Sequence, residues 1–323
     1  MSGGLLQMSG VVIDFVHRVK RLPASGEEVE SESAALLAGG GFNAMAAARR
    51  LGVEVAYGGT LGTGPFADIA RAALEREGIP ALLHSPANID QGVCVVLVDA
   101  SGERSFVSHH GAERAVTSAT LAAIPAAEYG WVSLSGYSLY NPRCADAFAA
   151  WLETLPRGPR FLFDPGPIVA DITQRRLEAA LARADWVSAN RREAAVLTGS
   201  DDPAEAAEAL AKKREGALVR AGEAGCWLAL ACREAEHVPG FDVTAVDTTG
   251  AGDAHDGAFV AAMLEGRAPR DAALIANAAA AISVTRQGPA TAPTRPEVDD
   301  FLYAQFGRRR ASPYGRPSGP LWE

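Results

Sequence analysis

Val246-Asp247-Thr248-Thr249-Gly250-Ala251-Gly252-Asp253 runs on into Ala254-His255-Asp256-Gly257-Ala258-Phe259-Val260-Ala261-Ala262-Met263-Leu264, and this stretch decides how the rest of the chain is read. Val243, Ala245 and Val246 read as an apolar strand end. Two threonines and two glycines make a turn, and apolar positions at Ala258, Phe259, Ala262 and Met263 have the spacing of a helix with one buried face. The turn therefore sits at a helix N-terminus, where the amides of Gly250, Ala251 and Gly252 and the helix dipole favour an anion. Asp253 puts a carboxylate in that place. It fits a general base beside an anion hole. It also fits an acid favoured in a first helical turn, with the glycines only shaping the turn.

Composition sets the frame for that turn. The 323 residues can bury a full core, and 48% hydrophobic with 21% charged residues is ordinary for a globular enzyme. A net charge of −9 without a basic block argues against a nucleic-acid partner or an anionic membrane surface. Cys94, Cys144, Cys226 and Cys232 form no C-x-x-C pair, so neither zinc nor a disulfide framework is indicated and a reducing cytoplasm is expected. Neither a signal peptide nor a spanning apolar run is expected.

Outward from the turn, strands alternate with helices. Strands are expected at residues 131–135, 160–163, 186–189, 217–220 and 226–231, with helices at 143–155, 177–183, 191–197, 204–213 and 270–284. That alternation implies a mostly parallel sheet covered on both faces, with ligands at the carboxyl ends of its strands. Asp14, Asp164, Asn190, Arg220 and the Gly250 turn are expected at such ends, Asp14 closing a first buried strand at residues 11–13. Gly39-Gly40-Gly41-Phe42-Asn43 opens an alanine-rich helix; its glycines let backbone approach a ligand and Asn43 offers a donor and an acceptor, or serves as a helix cap. A hairpin at 93–98 and 104–109, with the segment 18–37, interrupts the alternation and suggests a small sheet standing off the body as a lid. Gly62-Thr63-Gly64-Pro65-Phe66-Ala67 matches the dinucleotide fingerprint in form, but it follows the second expected strand, carries Pro65 in the turn and lacks the downstream acid.

These residues together resemble the ribokinase-like PfkB carbohydrate kinases. The resemblance runs over roughly residues 10–300 and rests on Asp247-Thr248-Thr249-Gly250-Ala251-Gly252-Asp253, Gly39-Gly40-Gly41-Phe42-Asn43-Ala44 and Asn190-Arg191-Arg192-Glu193. It implies an α/β fold, a ribokinase-like three-layer sandwich with a mostly parallel central sheet and a small β lid. The kinase domain would span residues 1–307, with the lid from about 15–38 and 91–111. Residues 308–323 are expected to be a loosely ordered tail. The implied activity is ATP-dependent phosphorylation of a hydroxyl, expected to be primary, on a sugar or sugar-like substrate, with a nucleoside as the alternative.

By the same resemblance Asp253 is the base and Gly250, Ala251 and Gly252 the anion hole, while Asp14, Gly39, Gly40 and Asn43 hold the substrate. Asn190 and Glu193 organise phosphate and Mg²⁺, Glu193 through water, and phosphoryl transfer calls for such an ion on ATP. Arg220, Gly222 and Gly225 match the nucleotide loop, and Asn277 a residue beside the purine. Many relatives bind a monovalent cation, potassium by ligand type, with Asp247, Thr249 and the Gly288 loop; a hydroxyl found there in ribokinase aligns with Ala292. Phe42 and Tyr137 depart from the ribokinase pattern and allow a bulkier or less polar ligand. His109 and His110 close a lid strand, where they are either simply exposed or touch substrate. A homodimer through the lid is expected from the alternation of Val93, Val95 and Leu97. Readings from other classes are an NAD-dependent oxidoreductase built on Gly62-Thr63-Gly64 and a non-catalytic nucleotide-binding protein.

Overall fold

The computed structural model describes residues 3–84 and 88–307. In chain order the elements begin β1 (Leu5–Gln7), β2 (Val11–Val19), β3 (Ser31–Gly40), α1 (Gly41–Arg50), β4 (Val55–Leu61), α2 (Pro65–Arg76), β5 (Ala81–His84), β6 (Val93–Val98) and β7 (Arg104–His109). They continue with α3 (Ser118–Ala122), β8 (Trp131–Ser135), α4 (Tyr137–Tyr140), α5 (Ala145–Thr154), β9 (Arg160–Asp164), α6 (Gln174–Arg183), β10 (Trp186–Asn190), α7 (Arg191–Thr198), α8 (Pro203–Ala211) and β11 (Gly216–Arg220). The last are β12 (Gly225–Leu230), β13 (Glu236–Pro239), α9 (Ala251–Leu264), α10 (Pro269–Val284) and α11 (Arg295–Phe306).

A nine-stranded sheet runs β13-β12-β11-β10-β9-β8-β1-β4-β5, parallel from β11 to β5, with β12 and β13 antiparallel at one edge. Successive side chains on a strand point to opposite faces, so each strand feeds two cores. Leu5, Trp131, Trp186 and Leu218 join one core; their neighbours Leu6, Val132, Val187 and Val219 join the other. Helices α1, α9 and α10 cover the first face, α5, α6 and α8 the second, which gives the expected three layers. The first core has an aromatic centre beneath α9. Phe259 lies edge-on to Trp131 with centroids 6.2 Å apart, and 4.9 Å from the Trp186 ring. Such pairs add to plain area burial, and here they seat the helix that carries Asp253.

The second sheet, β3-β2-β6-β7, is the lid. Here the expectation about the first strand is corrected. The first strand of the main sheet is β1, and residues 11–13 begin a lid strand in which Asp14 lies mid-strand rather than at a carboxyl end of the main sheet. Gly3 and Gly4 explain how so short a strand enters the middle of a sheet: a Cβ on either would stand 2.2 Å from Gly130 N or Glu54 O. The lid accordingly starts at Val11 and runs to Gly40, beyond the expected 15–38.

Residues 243–246 are no strand either. Val246 is exposed, and the amides of Val246 and Asp247 donate to the Val284 carbonyl at 2.7 and 3.1 Å, which ties the turn to the end of α10. The expected loose tail, residues 308–323, lies outside the described residues. Among the described residues no helix is long and apolar enough to cross a membrane.

Candidate active site

Between the lid and the carboxyl ends of the main strands lies a cavity of about 740 Å³, within the range of small-molecule sites. The lid contributes Asp14, Arg104 and Phe106; the body contributes Glu193, Arg220 and the Thr248–Asp253 turn.

Gly250 caps α9 in the left-handed region, φ 74°, where a glycine is favoured. A Cβ there would also stand 3.1 Å from Asn43 Nδ2. The first amides of a helix have no intrahelical acceptor. That of Ala251 makes a long bond back to the Thr248 carbonyl, 3.3 Å, and α9 has no side-chain cap. Asp253 is the third residue of α9 and accepts from Asn43 Nδ2 at 3.0 Å. Burial pushes its pKa up to about 6; Asn43 and Arg220 work against that, while Asp256 and Glu193 add to it. Asn43 itself is buried, and its Oδ1 has no partner among the described residues.

Arg220, at the end of β11, is the hub of the floor. Its Nη1 donates to Ser188 Oγ and Asp256 Oδ1, each at 2.8 Å, and its Nη2 lies 3.5 Å from Asp164 Oδ2 and 3.6 Å from Glu193 Oε2. Burial alone would lower the pKa of the guanidinium, but Asp256, Asp164 and Glu193 raise it. Burial pushes Asp164 well above the carboxylate range, with Arg220 opposing. Asp256 goes the other way: burial resists, but Arg220 and hydrogen bonds from His255 and Ser188 hold it below its ordinary value. Sequence reasoning gave Arg220 a role with the nucleotide and missed Asp256, although a position three past Asp253 on one helix shares its face.

Asn190 and Glu193 form a reciprocal capping box at the start of α7: Glu193 N donates to Asn190 Oδ1 at 2.9 Å and Asn190 N to Glu193 Oε2 at 2.8 Å. Asn190 therefore caps α7, while Glu193 is buried and faces Arg220. Mg²⁺ takes oxygen ligands, keeps several waters and binds through one or two carboxylates plus substrate phosphates. Glu193 and Asp164, both lining the cavity, have that chemistry. Among the described residues no cluster of three or more acid, His or Cys side chains could hold a metal alone.

On the lid side, burial and then the nearby Asp253 push the Asp14 carboxyl up to about 7. A Cβ on Gly39 would stand 2.1 Å from Asp14 Oδ2, so Gly39 leaves room for that carboxylate. Gly40 caps α1 at φ 62° and lines the cavity with Asp14.

Asp247 does not fit the expected potassium site. Its Oδ1 accepts from Thr249 N at 3.0 Å, Thr249 Oγ1 at 2.7 Å and Arg104 Nη2 at 3.0 Å, and its Oδ2 accepts from Gly288 N at 3.1 Å. A carboxylate offers about four acceptor sites, and a guanidinium already stands there. Ala292, buried, offers no hydroxyl. Burial works to raise the Asp247 pKa, yet the Thr249 hydroxyl, both amides and Arg104 keep it below the ordinary value.

Gly39, Asn43, Gly222, Gly225 and Asn277 are not among the residues lining the cavity, Gly39 and Asn43 standing behind Asp14 and Asp253, which do line it. A Cβ on Gly225, at φ 92°, would stand 2.3 Å from Gly240 N and Val238 O, so close packing against β13 requires glycine there. Asn277 Nδ2 donates to the Val238 and Pro239 carbonyls, each at 3.0 Å, and its Oδ1 meets His255 Nε2 at 3.2 Å. Both amide hydrogens thus hold protein carbonyls. Phe42 packs into the first core, so its bulk does not shape the substrate space, whereas Tyr137, His109 and His110 do line it. The dinucleotide fingerprint is closed by the chain itself. Phe66 N and Ala67 N donate to the Asp90 carboxylate at 3.2 and 2.8 Å, filling the start of α2 where a pyrophosphate would sit.

The fold and site thus define the class: a lidded α/β protein with a buried carboxylate, at a helix start without a side-chain cap, facing the lid across a cavity of small-molecule size. The description "pfkB family carbohydrate kinase" matches residues 7–295. The chain is 32% identical over 304 residues to the sugar kinase YegV of Escherichia coli K12, covering 91% of this chain and 92% of that one. A ribokinase of Arabidopsis thaliana solved with ribose and ATP superposes with a TM-score of 0.77 at 24% identity, covering 94% and 99%. A nucleoside kinase of Burkholderia thailandensis solved with inosine gives 0.76 at 20%, covering 94% and 97%. The chain belongs to the PfkB family of carbohydrate kinases, and its activity class is that of an ATP-dependent carbohydrate kinase.

Proposed function

We propose that Asp253 takes the proton of a substrate hydroxyl while that oxygen attacks the γ-phosphorus of ATP. The bond to the β–γ bridging oxygen breaks, ADP leaves, and the proton passes from Asp253 to solvent. A pKa of about 6 keeps the base ionised near neutrality yet basic enough to act. The open amides at the start of α9 face the charge that grows on the transferring group, the role given above to Gly250, Ala251 and Gly252. Magnesium, held by Glu193 through water and by Asp164 with the phosphates, would neutralise phosphate charge. Arg220, paired with three carboxylates, holds the floor of the cavity rigid.

The observation that carries this reading is Asn43: its Nδ2 orients Asp253, and its buried Oδ1, unpartnered among the described residues, leaves an acceptor for a second substrate hydroxyl beside the one that Asp253 deprotonates. Asp14 and Gly40, with Gly39 making room for the Asp14 carboxylate, complete a polyol side. A second reading, a nucleoside, is favoured by Phe106 and Tyr137 on the cavity wall, whose rings suit a base. An ADP-release screen over pentoses, hexoses, keto-deoxy sugar acids and nucleosides tests both. Release should appear with one acceptor class and require Mg²⁺; ADP released equally without any acceptor would overturn the reading.

The face of the lid away from Asp14 bears a row Leu36–Phe15–Val95–Val107 across its four strands, apolar throughout and with Leu36 and Val107 exposed. We assign it to a homodimer contact, which light scattering on wild type and Val107→Lys would test: a wild-type monomer sinks it. With all four cysteines free, a reducing cytoplasm is the setting proposed.

A further inference from the structure

Asp247 opens the turn that leads to Asp253, and the residue that neutralises it comes from the lid. Arg18 pairs with Val98, and Val98 with Arg104, so the two arginines lie in one row across β2, β6 and β7. By the two-residue period of a strand they share the face of Asp14. From that row Arg104 Nη2 reaches Asp247 Oδ1 at 3.0 Å and Thr248 Oγ1 at 3.2 Å, while Arg18 Nη2 stands 3.8 Å from Asp247 Oδ2. The Asp247 side chain is only 9% exposed. A carboxylate so buried needs a partner charge.

We propose that Arg104 is a positioning residue: its guanidinium is the resident cation of Asp247, taking the place of a dissociable monovalent ion and tying the phosphate-binding turn to the lid. The contact is made to two successive residues, Asp247 and Thr248, directly before Thr249 and Gly250, whose geometry sets the start of α9. The other donors to Asp247, Thr249 and Gly288, are neutral, so the charge balance rests on the lid arginines. An alkali ion added there would sit against a guanidinium and displace it. Withdrawal of the lid would take both arginines from Asp247 and leave its charge to the neutral donors of Thr249 and Gly288, so the formed turn and the seated lid favour one another.

The turnover arm of the test rests on the kinase reading; a melting arm does not. Wild type should show the same turnover and melting temperature when potassium is replaced by tetramethylammonium at equal ionic strength. Arg104→Ala should lose about 10²-fold in kcat/KM, the size of a small misplacement of reacting groups. It should regain part of that with methylguanidinium or potassium, and potassium should raise its melting temperature. Wild-type dependence on potassium, undiminished turnover in Arg104→Ala, or a loss that neither cation relieves would each overturn the proposal. If Arg104→Ala does not fold, Arg104→Lys decides: turnover within about tenfold of wild type in tetramethylammonium is expected, and a loss as deep as 10²-fold overturns it. If no acceptor is phosphorylated at all, the kinase reading fails while the melting comparison still judges Arg104.

Discussion

Asn43 and Asp253 stand 210 positions apart, and Nδ2 of the first donates to Oδ2 of the second at 3.0 Å. The bond favours the ionised carboxylate against a burial that favours the neutral one. Base catalysis should therefore switch on as pH rises through about 6. Asp253→Asn should lose roughly 10²–10⁴-fold in kcat while still binding ATP. Asn43→Ala should shift the acid limb of the rate profile to higher pH, because it removes the group that lowers the Asp253 pKa. An unmoved limb in that variant, or wild-type turnover in Asp253→Asn, counts against the assignment.

Asp14 gives a prediction about stability. Its folded pKa is pushed up to about 7, against about 3.9 for an unfolded aspartate. Between those values the folded state holds more protons than the unfolded one. The stability it contributes is thus fully present below about pH 4 and is lost as pH rises through about 7. Asp14→Asn cannot ionise, so it should melt higher than wild type at about pH 8, by on the order of 1 kcal/mol or more, with the gap closing toward pH 4. Parallel melting curves across that range would remove the raised carboxyl from the account.

Gly257 faces α1 from α9, and a Cβ there would stand 2.3 Å from the Ala44 carbonyl oxygen. Gly257→Ala must push the two helices apart. We expect a loss of about 1–3 kcal/mol by chemical denaturation. Turnover should fall more steeply than that loss suggests, because α1 carries Asn43 and α9 carries Asp253. Full activity would show that the two helices can part without disturbing the site.

Arg220 holds Asp256, Asp164 and Glu193 together. Arg220→Met leaves those carboxylates without their counter-charge, and unfolding curves should show a loss of about 3–5 kcal/mol. A neutral outcome would mean that the carboxylates take up protons or water instead.

What the sequence made legible follows from range. The Thr249–Asp253 turn is local: glycine, a first-turn acid and a helical period lie within a dozen residues, and each strand of regular alternation from Trp131 onward stands where its pattern put it. The Arg220 cage was not legible, because its members come from β9, α7, β11 and α9 and meet only when the sheet forms. The lid was read as a unit but its start was missed, since the three residues of β1, only Leu5 and Leu6 of them apolar, carry too little period to separate it from β2. Val243, Ala245 and Val246 failed for the opposite reason: an apolar run suggested sheet where the chain only crosses the end of α10.

Asp90 at the start of α2 and Glu193 at the start of α7 each give a helix pole its own intramolecular anion, whereas α9 has no side-chain cap and its first-turn acid, Asp253, accepts from Asn43 instead. Of these three, only the last can draw a phosphate electrostatically. Two occupied poles thus act as an address: of the three, an incoming polyanion is left with the one beside the base.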